Sequence, residues 1–295
     1  MVDRISNLPD HILCHVLSFL PTKQVVATSI LSNRWRLLWT WITSFDFDDG
    51  EQKNHGRKDG EDHMSFAQFV SRVLLSCNSQ PIKKFHVKCC SLNSNSVDIN
   101  MWVSTAVARK VEQLELSVCF DNNFALAHSL FTCKTLVVLK LSGELRGFIN
   151  LNVTSPVDFI SLKTLHLEAV CFANQHSFRM FFSDFQVLED LVIKELDFMD
   201  DEFTDFDINL PSLVKADINF DLVDEEWRDL LIKAIRNAAY LSLSGIITTR
   251  QDLGFDDDFP TFTKLIHLAL TFECCGWNVI GSFLQKSPKL QVLGH

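Results

Sequence analysis

Ile12, Leu13, Val16, Leu17 and Leu20 fall at i, i+1, i+4, i+5 and i+8, one broad apolar face of a helix. Leu8-Pro9-Asp10 opens it: proline fits a helix start, and Asp10 puts negative charge at the positive end of the dipole. Asp10, His11, Cys14 and Ser18 are expected on the opposite side, and Pro21 ends the run. Thr22 is placed to cap a second short helix carrying Val25, Val26, Ala27 and Ile30, and Ser32 a third, in which Trp35, Leu38 and Trp39 share a face. Three short helices in about 40 residues lie near the lower limit of independent folding. Their apolar residues outnumber what they can hide from one another, which implies a partner surface.

The pattern then changes. Residues 50–62, "GEQKNHGRKDGED", are almost free of apolar side chains and predict a loop. "SFAQFVSRVLLSC" predicts a helix burying Phe66, Phe69, Val70, Val73, Leu74 and Cys77. From there a short alternating segment recurs: "VEQLELS", "LVVLKLS", "LKTLHLE", "LEDLVIK", "LVKADIN", "AAYLSLS" and "LIHLAL", with "IKKFHVK" as an earlier, longer copy. The last apolar residues of the seven, Leu116, Leu141, Leu167, Ile193, Ile218, Leu243 and Leu270, are spaced by 25 to 27 residues. An L-x-x-L-x-L strand at that period is the leucine-rich-repeat signature, in which stacked copies bury a core that no single copy could build. The expected fold is α/β: a three-helix head over residues 1–45, a linker loop and capping helix over 46–80, and about eight repeats over 81–295, the last incomplete. The Asn or Cys that the consensus carries three residues after the last Leu is missing. Those positions hold Phe120, Glu144, Val170, Leu196, Asp221, Ile246 and Glu273, which predicts an irregular, long-repeat subtype with convex segments ranging from the helix at "DEEWRDLLIKAIRNA" to plain loop. Twenty-five phenylalanines against one tyrosine suit dry repeat turns, where a phenol would need a partner.

Charge divides the chain the same way. The net charge is −10, yet residues 1–44 carry four bases and two acids, leaving 23 bases and 35 acids for the rest. Such an acidic balance argues against nucleic acid as a partner. No apolar run approaches the roughly 20 residues of a membrane helix, and no signal-peptide pattern opens the chain. Nine cysteines without C-x-x-C spacing read as reduced thiols of a cytoplasmic or nuclear protein.

"LPDHILCHVLSFLPTKQVVATSILSNRWRLLW" resembles an F-box, in the form shared by a large plant family of F-box/leucine-rich-repeat proteins. The Leu-Pro-Asp opening, the Ser-Phe-Leu-Pro turn and the Ser-x-Arg-Trp-Arg-x-Leu-Trp segment carry the resemblance over roughly residues 4–45. It implies docking onto a Skp-type adaptor, and through it onto a cullin–RING ligase, with the repeats holding a protein substrate for ubiquitination. It places Leu8, Pro9, Ile12, Leu13, Val16, Leu17, Leu20, Pro21, Val25, Ser29, Ser32, Trp35, Leu38 and Trp39 at or beside the adaptor interface. An interaction scaffold or a decoy that only occupies the adaptor is the alternative, and an enzyme with a hidden Cys–His site is a more distant one.

Chemistry is otherwise sparse. His11 and His15 at i, i+4 beside Cys14 fall short of the four ligands of a structural zinc site. The acidic clusters over 197–207 and 254–259 lack the spacing of a calcium loop. No nucleotide-binding glycine loop or hydrolase elbow occurs, so no catalytic residue, metal or cofactor is expected. The strand residues between the leucines point away from the core. They select Lys140, His166, Lys194, Lys215, Tyr240 and His267 as candidate substrate contacts on a concave face of mixed charge. "KSPKLQVLGH" restarts the repeat at the end of the chain, with no polar-faced cap and nothing that matches the FBD domain of similar plant proteins. The expectation is a shortened product. The alternative is an end closed by "NVIGSFLQKS", with Ile280, Phe283 and Leu284 covering the edge.

Overall fold

A computed structural model of the chain describes residue 5 and residues 7–50, 66–77, 81–89, 96–119, 124–144, 147–200, 203–204, 206–221, 223–245, 259–271 and 277–294. The loop expected over 50–62 except Gly50, residues 201, 202 and 205 of the first acidic cluster, residues 254–258 of the second, and three of the seven consensus-Asn positions (Phe120, Ile246, Glu273) lie outside these residues.

The head is helical and small. Helix α1 (Asp10–Leu17) follows Pro9 and buries Leu13 and Leu17; α2 (Thr22–Ala27) follows Pro21, buries Val25 and tightens into a 3₁₀ turn at Thr28–Ile30. The third helix expected from Ser32 is absent: residues 33–37 form turns, and a single 3₁₀ turn spans Leu38–Trp41. Ser32 and Asn33 favour local side-chain bonding over helix. Tertiary contacts fix the segment instead, because the Arg34 guanidinium donates to Asp10 Oδ1 (2.6 Å) and to the Leu8 carbonyl, and Trp35 and Leu38 turn into the core. Thr22 does not cap α2. It is its first residue, fully buried, and its hydroxyl accepts from the Asp46 amide at 2.8 Å, tying the head to the sheet. Cys14, expected in solvent, is half-buried with Sγ 3.7 Å from the Leu38 carbonyl.

Behind the head, ten parallel strands run in the order β1-β2-β3-β5-β7-β8-β9-β10-β11-β12. They are β1 (Ser44–Asp48), β2 (Lys84–Cys89), β3 (Gln113–Cys119), β5 (Val138–Glu144), β7 (Thr164–Phe172), β8 (Asp190–Phe198), β9 (Lys215–Asn219), β10 (Tyr240–Ser244), β11 (His267–Leu270) and β12 (Val292–Gly294). Val87, Leu116, Leu141, Leu167, Ile193, Ile218, Leu243 and Leu270 pair rung by rung across the sheet, so the sequence period is the structural register. The array starts earlier than residue 81. Strand β1 pairs with β2, Phe47 opposite Val87, and α3 (Phe66–Ser76) packs beside α4 (Ser96–Ala108) as the convex helix of the first repeat. Ile42, Phe45 and Phe47 fill the three leucine positions there and are all buried.

A side branch of the same sheet explains the missing asparagines. Ala169 (φ 48°), Glu195 (φ 52°) and Gly245 (φ 71°) hold left-handed backbone two residues past the last strand leucine or isoleucine. After that corner β7 and β8 continue, Val170 opposite Leu196 and Phe172 opposite Phe198, and β6 (Ile149–Leu151) and β4 (Phe124–Ala125) extend the ledge. Strand pairing satisfies backbone that an asparagine side chain would otherwise bond, and Val170 and Leu196 are free to be buried. Gly143 occupies the same corner position. A Cβ there would stand 2.6 Å from the Gly147 carbonyl oxygen and 2.7 Å from that of Ala169, both backbone. Gly143→Ala is expected to cost about 1–3 kcal/mol, read as a lowered urea midpoint.

The convex side is aromatic. Phe159, Phe181, Phe182 and Phe185 meet largely edge to face at 5.3–6.2 Å, stacked only where Phe159 meets Phe185, and Phe178 and Phe198 pack on Trp227 of α6 (Glu225–Ala234) at 5.1 and 3.7 Å. This dry packing has no place for a phenol. In the last repeat α7 (Trp277–Lys286) buries Phe283, but Leu284, expected to cover the edge, faces solvent because it lies one residue round the helix.

Candidate functional site: the head surface and the concave face

Two surfaces carry groups that packing does not use. On the head, Leu13, Leu17, Val25, Trp35 and Leu38 are core residues, while Leu20, Pro21, Ser29 and Trp39 are partly covered. Leu8, Pro9, Ile12, Val16 and Ser32 face solvent. The head also exposes apolar residues absent from the expected set. Phe19 is 75% exposed and Ile30 85%, and Ile5, Leu31, Leu37 and Trp41 are also exposed. Helical spacing could not select them, since Phe19 lies beyond the end of α1 and Leu37 and Trp41 in a segment that is not a regular α-helix. The available signal was the surplus of apolar residues in so short a stretch. A head this short seldom leaves so many large apolar side chains in water, and exposed apolar surface of that extent is the kind used in protein contacts. The three neighbouring tryptophans divide: Trp35 is interior, Trp39 donates Nε1–H to the Arg36 carbonyl at 3.1 Å, and Trp41 points outward.

The concave face is built by the period-2 alternation of the strands. All six expected contacts lie on it: Lys140 and His166 side by side in one cross-strand row, Lys215, Tyr240 and His267 consecutive in another, and Lys194 in a third beside Glu168. Its two ends differ. Towards the head the charges satisfy one another: His86 Nδ1 lies 2.6 Å from Asp46, and Glu115 sits between Lys84 (3.6 Å) and Lys140 (3.4 Å). In the middle, His166 Nε2 is 3.8 Å from Asp190 Oδ2. Burial holds the His166 pKa below the ordinary histidine value, Asp190 opposing and Lys140 and Lys215 reinforcing the shift. A histidine kept neutral in this way favours the folded chain above its unfolded pKa. That contribution is lost as pH falls through the lower folded value. An NMR titration should therefore place the His166 midpoint below that of an unfolded-chain histidine, and His166→Gln should flatten the acid-side dependence of the unfolding midpoint.

Residues 5–46 match the F-box domain family, and residues 161–183 match the Leucine Rich Repeat family. The chain is 32% identical to an FBD-associated F-box protein of Arabidopsis thaliana, over 99% of this chain and 72% of the relative. It belongs to the F-box/LRR-repeat proteins. An F-box/FBD/LRR-repeat protein of the same plant is 31% identical over 99% of this chain and 76% of its own length, and an F-box/LRR-repeat protein 34% identical over 84% and 63%. No solved structure matches the chain. The F-box match runs into β1, so F-box and first repeat share Ser44, Phe45 and Asp46, and the Thr22–Asp46 bond couples them.

Chemistry elsewhere is thin. Burial pushes the Cys77 and Cys171 thiols up to about 11, protonated and poorly nucleophilic at neutral pH. Among the described residues no group of three or more His, Cys, Asp and Glu is arranged to hold a metal ion, and no helix is long and apolar enough to cross a membrane.

Proposed function

We propose that this chain is the substrate-recognition subunit of an SCF-type ubiquitin ligase, acting in the cytoplasm, the nucleus or both. The F-box head docks its exposed apolar face on a Skp-type adaptor, and the adaptor joins a cullin–RING core. The concave face of the repeats holds a protein substrate. One observation carries the reading: a folded head leaves Ile12, Val16, Phe19, Ile30 and Trp41 in water while fixed, through Thr22 and β1, to a sheet whose polar face is open. In this reading the chain does no bond-making itself. Its contribution is proximity, which makes transfer of ubiquitin to the substrate effectively intramolecular.

Co-expression with a Skp-type adaptor and cullin tests this directly. The three proteins are expected to co-purify, and a substrate protein to accumulate when the gene is deleted. Failure to bind any adaptor would overturn the reading, and adaptor binding with no protein stabilised on deletion would convert it to a scaffold or decoy.

A further inference from the structure

A hollow of about 150 Å³ lies where the head meets the first repeat, bounded by residues of α2, β1, β2 and α3. Strand β1 is the outermost strand on that side, so only alternate residues bond their backbone to β2. Thr43 accepts from Lys84 and Asp49 donates to Lys88, while Asp46 and Asp48, between them in the alternation, turn their backbone groups outward. The Asp46 amide donates to the Thr22 hydroxyl; the Asp48 amide has no hydrogen-bond partner among the described residues. The carboxylates are also half used. Asp46 Oδ1 stands 2.6 Å from His86 Nδ1, and Asp48 Oδ1 accepts from the Gly50 amide at 2.7 Å, which leaves the second oxygen of each without a hydrogen bond among the described residues. Lys23 of α2, exposed at the rim, makes no ion pair within 4 Å among the described residues. Phe66 and Phe69 of α3 form an apolar wall, held edge-on against Trp102 at 6.1 Å and Phe47 at 6.0 Å. The lining therefore offers a cation, two carboxylates (one shared with His86), a free backbone amide and fixed aromatic surface.

We propose that this hollow binds a free aliphatic α-amino acid, of which leucine is the type. The α-carboxylate lies at Lys23 and the Asp48 amide, the α-ammonium at the open oxygens of Asp46 and Asp48, and the side chain against Phe66 and Phe69. A few convergent polar groups beside apolar surface are the usual make-up of a small-molecule site. The volume is that of a cavity that takes benzene, enough for an aliphatic side chain with the charged end left at the mouth. Charge selects the zwitterion, since an internal peptide residue carries neither backbone charge and a simple amine lacks the carboxylate that Lys23 and the Asp48 amide would hold. The walls come from α2 on one side and from β1 and α3 on the other, so an occupant bridges head and first repeat as the Thr22–Asp46 bond does. Ligand that binds only the folded junction stabilises it. The inference does not depend on the ligase reading.

Calorimetric titration of the full chain with L-leucine, N-acetyl-leucine, leucinamide and glycine tests it. Leucine is expected to bind with a Kd of about 1 mM or below and to raise the thermal unfolding midpoint. N-acetyl-leucine lacks the ammonium, leucinamide the carboxylate and glycine the side chain, and each should bind roughly tenfold more weakly, because a group of the site is left without its partner. Asp48→Asn keeps the acceptor for the Gly50 amide but loses the charge, and Lys23→Gln removes the exposed cation; both should fold like the parent and lose roughly tenfold in leucine affinity. Lys194→Ala, four strands away along the sheet, should leave it unchanged. No heat from leucine at millimolar concentration, equal binding of leucine and its two derivatives, or full affinity in folded Asp48→Asn and Lys23→Gln chains would overturn the proposal.

Discussion

A chain carrying Ile12→Asp and Val16→Asp should fold like the parent and fail to capture its adaptor. Both residues lie on α1 one turn apart with more than a third of their surface in water, so neither supports the head core. Carboxylates there cost the free chain little. In a docked complex each would be a charge withdrawn from water against apolar surface. Losing an interface anchor commonly costs about 2–4 kcal/mol, roughly 30- to 1,000-fold in affinity, and the unpaired charges add to that. Leu13→Ala is the control. Leu13 is fully buried, so the cavity should cost about 2–5 kcal/mol and unfold a head of this size. Trp35→Ala belongs with the control, because Trp35 packs inward although the resemblance sets it at the adaptor face. Calorimetry for affinity and thermal unfolding for stability separate the two groups. Full adaptor affinity in a folded Ile12→Asp/Val16→Asp chain would show that α1 is not the docking face.

The repeat array was legible because parallel stacking requires one period. Every residue taken as the last apolar position of a strand pairs with its counterpart in the next strand. The first repeat was hidden by residue type. Ile42-x-x-Phe45-x-Phe47 satisfies the same spacing with no leucine, and the polar run over 50–62 directs attention to a linker. The ledge of β4, β6 and the ends of β7 and β8 was not legible. It depends on left-handed backbone at Ala169 and Glu195, residues that seldom adopt it and so give no local signal. In the head, helical spacing separates Leu13 from His11 but cannot distinguish an apolar residue covered by its own domain from one left for a partner. Leu13 and Ile12 are adjacent in sequence, yet Leu13 is fully buried and Ile12 is exposed. Concave positions followed from alternation alone. Their ion pairs required cross-strand distances that no single strand encodes.

Leu167→Ala and Ile193→Ala should each cost about 2–5 kcal/mol, as truncation of a buried Leu or Ile does when the surroundings relax only in part. Both are fully buried and directly opposed across β7 and β8, the pair of strands that also forms the ledge beyond the corner. Little can close over the cavity. Fixed cross-strand rungs lie on either side, and the packed phenylalanines of the convex side limit collapse. Because each repeat is buried only by its neighbours, a lesion in the middle of the array should propagate: a cavity at Leu167 should lower the unfolding midpoint of the array as one transition. Lys140→Ala, one strand away on the open face, should stay within about 0.5 kcal/mol, because Lys140 loses only a half-exposed contact with Glu115. As the two core residues touch across the rung, the double variant Leu167→Ala/Ile193→Ala should depart from the sum of the single losses by about 0.5 kcal/mol or more. Chemical denaturation of the four variants measures all of this. A core substitution no more costly than Lys140→Ala would mean that inward and outward positions of β5, β7 and β8 are exchanged.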